Sequence, residues 1–190
     1  MQYDQTTAFL PTQYGNFKIH VYKFGEDDVI LLQYGEIQTE NVLMRIHSEC
    51  LTGDVFGSVR CDCQEQLHKA IKAVAENGNG LIFYLRQEGR GIGIFNKIRA
   101  YKLQDEGANT IDANLLLGLP VDARKYENVI TILKELGVKS VRLITNNPLK
   151  IKAFDDSDIK INEIVKIKST FGEYNTFYLN TKRDMMQHNL

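Results

Sequence analysis

The sequence predicts an α/β (α+β) fold, a single compact domain with a mixed β-sheet and flanking helices. Three observations predict it. Apolar residues are 43% of the 190 positions and charged residues 25%, so the chain can bury a core and does not read as a disordered tail. The first fifty residues carry strand-like runs. From Asp62 onward, helical periods alternate with short apolar segments, as in α/β chains.

Taken in order, FKIHVYKF (17–24) and VILLQYGEI (29–37) flank the turn-rich GEDD and predict a hairpin. NVLMRIHSE (41–49) predicts a third strand, with Arg45, His47 and Glu49 on one face if it is extended. Leu67, Ile71 and Val74 fall at helical spacing and predict a helix ending near Gly78. GLIFYLR (80–86) is wholly apolar until its last residue and predicts a buried strand. A helix over about 95–106 should stop at Gly107. Tyr126, Val129, Ile130, Leu133 and Leu136 predict another helix, closing at Gly137. VRLIT (141–145) predicts a buried strand, followed by the turn NNP and a short helix from Pro148. Further short strands are expected at 161–165 and 176–180. The organisation expected is a β-rich part over about 1–50, an α/β part over about 51–170 and a tail over about 171–190.

Net charge is −1 and the isoelectric point about 6.4, which argues against general nucleic-acid or anionic-membrane binding. The amino terminus lacks the basic and apolar regions of a signal peptide, and no run of about 18 apolar residues could span a bilayer. Three cysteines without a secretion signal argue against a disulfide framework and for a reducing cytoplasm.

All three cysteines, Cys50, Cys61 and Cys63, stand in RIHSECLTGDVFGSVRCDC with C-x10-C-x-C spacing. A free cysteine is often just a small buried apolar residue. RCDCQEQ, however, is too polar for a core, and residues at i and i+2 of an extended segment can turn both sulfurs to one ion. Three thiolates bind zinc and leave a fourth position for water, whereas His47 as a fourth ligand would close the site as a structural one. Spacing leaves both options open. In QEGRGIG the glycines lack the lysine-serine or lysine-threonine pair of a phosphate loop. The segment reads equally as an anion-capping turn or an ordinary strand–helix connection. In TNNPLK, Thr145 and Lys150 can reach an anion, although Asn-Asn-Pro is also plain turn chemistry. Asp122 and Arg124 lie two apart in a loop, where such pairs are usually solvated.

Jointly, RIHSECLTGD, RCDC, YLRQEGRGIG, NKIRAYKLQD and TNNP resemble, in order and spacing, the GTP cyclohydrolase II family, and YLNTKRDMMQH is similar to its closing segment. The chain has no room for the fused dihydroxybutanone-phosphate synthase domain and so resembles the stand-alone form. It departs from the family pattern in the apolar stretch 115–117 and in the turn at 155–158. The resemblance implies one zinc per subunit on Cys50, Cys61 and Cys63, with His47 off the metal. It implies GTP contacts at Arg45, Ile46, His47, Ser48, Glu49, Gln66, Glu88, Gly89, Arg90, Thr110, Thr145 and Lys150. Catalytic roles are implied for Tyr101, Asp122 and Arg124.

The activity so implied is hydrolysis of GTP at C8 of the guanine ring by zinc-activated water, releasing formate and pyrophosphate as the first step of riboflavin synthesis. Magnesium would accompany the triphosphate, and a cytoplasmic homodimer is expected. For Arg124 the resemblance implies attack on the α-phosphorus, with Asp122 taking its proton. An electrostatic clamp is physically easier, because guanidinium keeps its proton below a pH of about 12. Two other classes compete. One is a zinc-stabilised nucleotide-binding module without turnover. The other is a zinc deaminase, whose signature joins H-x-E to P-C-x-x-C, whereas here His47 and Glu49 precede a C-x10-C-x-C set.

Overall fold

The computed structural model describes residues 3–176 and Asn180, apart from the side chains at 110 and 111. Among the described residues seven strands form one mixed sheet: β1 (Asp4–Thr12), β2 (Gly15–Phe24), β3 (Asp27–Tyr34), β4 (Val42–Ser48), β5 (Gly80–Leu85), β6 (Ser140–Ile144) and β7 (Lys160–Val165). Their order in the sheet is β1-β2-β3-β5-β4-β6-β7. β1 to β3 form an antiparallel meander, and β3 runs antiparallel to β5. β5, β4, β6 and β7 are mutually parallel.

The expected hairpin over 17–37 is β2–β3, and β5 lies between β3 and β4 although β4 comes next in sequence. β1 was not expected. Six of its nine residues in a row are exposed, so DQTTAFLPT shows none of the alternation that one-sided burial writes into a strand. Of the strand expected at 176–180 only Thr176 and Asn180 are described, and both are helical.

The helices are α1 (Leu51–Asp54), α2 (Cys63–Glu76), α3 (Gly93–Asp105), α4 (Thr110–Leu116), α5 (Glu127–Glu135) and α6 (Pro148–Lys152). β4 and β5 are buried on both faces because both faces are covered. Val42, Met44, Ile46, Leu81 and Phe83 pack with Val129, Ile132 and Leu133 of α5. Leu43 and Ile82 pack with Ala70 and Val74 of α2 on the opposite side. Arg45 and His47 alternate with Met44 and Ile46, so they share the α2 side with Leu43. Tyr84 pairs with His47 across the parallel ladder.

Asn147 caps α6, its Oδ1 accepting from Leu149 N at 2.9 Å, with Pro148 in the first turn. Among the described residues no helix is long and apolar enough to cross a membrane. Phe83 is fully buried in the central strand β5. Phe83→Ala should therefore lower stability by about 3–5 kcal/mol, read as a drop in the urea midpoint at unchanged slope.

Candidate active site

β4, β5 and β6 all end at the same edge of the sheet, because parallel strands deliver their carboxyl ends together. Open α/β sheets place their clefts at that edge. The segments that follow are Glu49–Cys50, Arg86–Gly91 and Thr145–Asn147. They frame a cavity whose lining includes Arg45, His47, Cys50, Cys61, Cys63, Tyr101, Arg124 and Lys150.

Cys50 precedes α1, and Cys61 and Cys63 stand at the start of α2. Their three sulfurs lie within 4.8 Å of one another, with Cys50 and Cys61 3.7 Å apart. Gly53 makes this approach possible: a Cβ there would sit 3.0 Å from Cys61 Sγ and 3.2 Å from Cys50 Sγ. Without a cation the three thiols share charge unequally. Hydrogen bonds from Cys61 and Cys63, aided by Lys97, draw Cys50 far below the usual thiol range. The bond with Cys50, together with burial, pushes Cys61 up to about 11, and Cys63 is also raised. Three adjacent sulfurs can all be ionised only around a cation, and a three-thiolate set fits zinc with one coordination position left over.

His47 is buried, and both of its ring nitrogens have protein partners. Nδ1 lies 3.4 Å from Arg45 Nε and from Arg45 Nη2, while Nε2 lies 3.2 Å from Asp54 Oδ2. Arginine can only donate, so the network assigns Nδ1 as acceptor and Nε2 as donor, which is a neutral ring. Burial, with the Arg45 charge, lowers its pKa from 6.5 to about 4 despite the bond to Asp54. Asp54 Oδ2 also accepts from Cys50 N at 3.0 Å and from Tyr84 O–H at 2.9 Å. One carboxylate oxygen thus ties the first cysteine, the histidine and β5 together. Sequence reasoning passed over Asp54 and Tyr84, which lie in the quoted segments but carry no metal spacing of their own.

A second network runs along the other wall. Lys97 Nζ reaches Glu88 Oε1 at 2.8 Å, Thr52 Oγ1 at 2.9 Å and Cys50 Sγ at 3.2 Å. Burial opposes its charge, but Glu88 and Cys50 outweigh burial and raise its pKa above the ordinary lysine range. Glu88 Oε2 accepts from Leu51 N at 2.6 Å, which fastens the β5 turn to the cysteine turn. Tyr101 hydrogen-bonds Thr52 at 3.4 Å, and the Arg60 guanidinium lies 4.4 Å from its ring centroid. Lys97, Thr52 and Arg60 were also missed. A lysine on a helix reads as solvent-facing until the tertiary structure buries it.

The remaining expected residues fall as follows. Gln66 Oε1 accepts from Arg45 at 2.6 Å. Ser48, Glu49, Gly89, Arg90 and Thr145 line the cavity. Arg90 adopts φ 63°, a costly conformation for a non-glycine residue that turns up at functional sites. Next to it, a Cβ at Gly91 would meet the Ala123 backbone at 3.1 Å, so glycine permits the close approach of the loop carrying Asp122 and Arg124. Arg124 faces the cavity while its Nε donates to Asp122 Oδ1 at 2.9 Å. Asp122 does not line the cavity. Burial works against its charge, yet the Arg124 bonds hold its pKa below the usual carboxylate range. The Ile46 side chain is in the core, and only its carbonyl turns to the site, accepting from Lys150 Nζ at 2.7 Å. Thr110 begins α4, and its side chain lies outside the described residues.

Fold and site together define an α/β protein with a three-cysteine group compatible with zinc, set in a basic cleft at strand ends, a layout suited to an enzyme for an anionic substrate. The family description "GTP cyclohydrolase II" matches residues 3–166. The chain belongs to that family. It is 47% identical over 183 residues to a GTP cyclohydrolase-2 of Picrophilus torridus, covering 95% of each chain. It is 53% identical over 188 residues to that of Acinetobacter baylyi, covering 96% of this chain and 93% of the relative.

Gly53→Ala should leave folding intact, since alanine suits a helix better than glycine. It should also weaken zinc binding on the order of tenfold, measured by chelator competition. The His47 ring should titrate near 4 by NMR. Between that pH and 6.5 the unfolded chain binds the extra proton and the native state does not, so stability falls as pH drops through this window. A ring titrating near 6.5 would contradict the assignment.

Proposed function

We propose that this protein opens the imidazole ring of GTP and releases formate and pyrophosphate, leaving 2,5-diamino-6-ribosylamino-4(3H)-pyrimidinone 5′-phosphate, the first committed step toward riboflavin. The observation that carries the reading is the three-sulfur group within the basic cavity of a GTP cyclohydrolase II family member. Cys50, Cys61 and Cys63 would hold one zinc ion. When bound, zinc supplies a Lewis acid that activates water near neutral pH.

The chain's own residues do the rest. Arg45, with His47, Ser48, Glu49 and Gln66, orients the nucleotide on the α2 side. Glu88, Gly89, Arg90, Thr110, Thr145 and Lys150 complete its contacts, and the Ile46 carbonyl holds Lys150. Two successive additions of water at C8 break the C8–nitrogen bonds and expel formate. Tyr101 hands a proton to the departing ring nitrogen, and burial keeps its phenol protonated for that task. Arg90, Arg124 and Lys150 neutralise the triphosphate together with magnesium while the α–β anhydride is hydrolysed. The ion pair with Asp122 favours Arg124 as an electrostatic clamp, because an arginine so paired holds its proton more tightly. A cytoplasmic homodimer in one functional domain remains part of this reading. The alternative of a non-catalytic zinc module requires His47 as fourth ligand, and both its nitrogens are engaged elsewhere.

Purified protein with GTP and magnesium should yield formate and pyrophosphate, and a zinc chelator should abolish formate. Cys63→Ser should lose formate release, and Arg124→Ala should keep its zinc. If neither product appears and the chelator changes nothing, the reading fails.

A further inference from the structure

Lys97 stands in the quoted run NKIRAYKLQD, which assigned it no role, and its ammonium touches three side chains at once. It is 7% exposed. An ammonium has three donors, and here each has an acceptor: Glu88 on the β5 turn, Thr52 in α1 and the Cys50 sulfur. Stability alone explains this poorly. A buried Lys–Glu pair loses about as much solvation as it recovers in attraction, and an apolar pair of equal volume usually serves as well or better. The third contact is a different matter. An N–H donor bonded to a metal-ligating thiolate withdraws electron density from the sulfur, so the sulfur donates less to the cation. Outer partners of metal ligands commonly tune a site in this way.

We propose that Lys97 is a positioning residue that weakens the donor strength of the Cys50 thiolate, so that the bound ion is a stronger Lewis acid than three unmodified thiolates would make it. Glu88 keeps the ammonium aimed at the sulfur, and Thr52 links it to the Tyr101 hydroxyl. The inference rests on the zinc reading above, and its test separates the two.

The probe is the cobalt(II)-substituted protein, whose thiolate-to-cobalt absorption reports sulfur donor strength directly. Lys97→Met removes the donors at similar volume. Because it leaves Glu88 buried and unpaired, Lys97→Met/Glu88→Gln is measured beside it. Both should move the band to lower energy, and Lys97→Arg, which retains N–H donors, should return it toward the wild-type position. With zinc, both methionine variants should release formate at saturating GTP on the order of tenfold more slowly, with KM little changed. A wild-type thiolate band that stays in place in both methionine variants overturns the proposal, since simple packing of Lys97 predicts that result. The absence of any thiolate band in the wild-type cobalt protein overturns the zinc reading, and the proposal with it.

Discussion

The parallel pairing of β4 with β5 on one side and β6 on the other is the constraint on which the rest of the structure depends. It brings three carboxyl ends to one edge of the sheet, and each is followed at once by chemistry: Cys50 after β4, Glu88 and Arg90 after β5, Thr145 and Lys150 after β6. These segments are far apart in sequence and meet only because the ladder holds their strands in register. The covering helices make that ladder stable by burying both faces, α2 against Leu43 and Ile82, α5 against Met44 and Phe83. The same α2 begins at Cys63, so the helix that closes one core also completes the three-cysteine group.

Within this frame the buried charged side chains are hydrogen-bonded almost throughout. Lys97 is matched by Glu88 and Arg124 by Asp122, while Arg45 donates to the neutral Gln66 and His47, and Asp54 accepts from His47. Charges placed in this way cost much desolvation energy and contribute little net stability. Their value is preorganisation: donors and acceptors stand in fixed positions before a substrate arrives, so little reorganisation accompanies the reaction. Asp54 and Glu88 are the two anchors. Each binds a backbone N–H of the cysteine turn, at Cys50 and Leu51 respectively, and each also fixes a side chain that faces the cavity.

Much of the fold was legible in the chain. Apolar runs such as 80–85 reported burial on both faces, and Leu67, Ile71 and Val74 reported one helical face. β1 was illegible because a strand exposed on both sides has no alternation to show. The position of β5 between β3 and β4 was also out of reach, since local pattern says nothing about which strand pairs with which. At the site, the cysteines, the arginines and the turn segments could be singled out by residue type and spacing. Lys97, Asp54, Tyr84 and Arg60 could not, because nothing local distinguishes them from ordinary helix, strand and turn residues.

The sequence by itself determined the inventory: three thiols at C-x10-C-x-C, a mixed α/β pattern, and a joint set of motifs specific enough to name a family. What only the tertiary structure decided was how that inventory is wired. It engaged both nitrogens of His47, so the histidine that could have joined the three cysteines faces Arg45 and Asp54 instead. It withdrew the Ile46 side chain into the core and set Asp122 behind Arg124. Spacing along a chain limits which atoms can meet, whereas hydrogen-bond partners are chosen by distance and burial in three dimensions, and those exist only once the strands have paired.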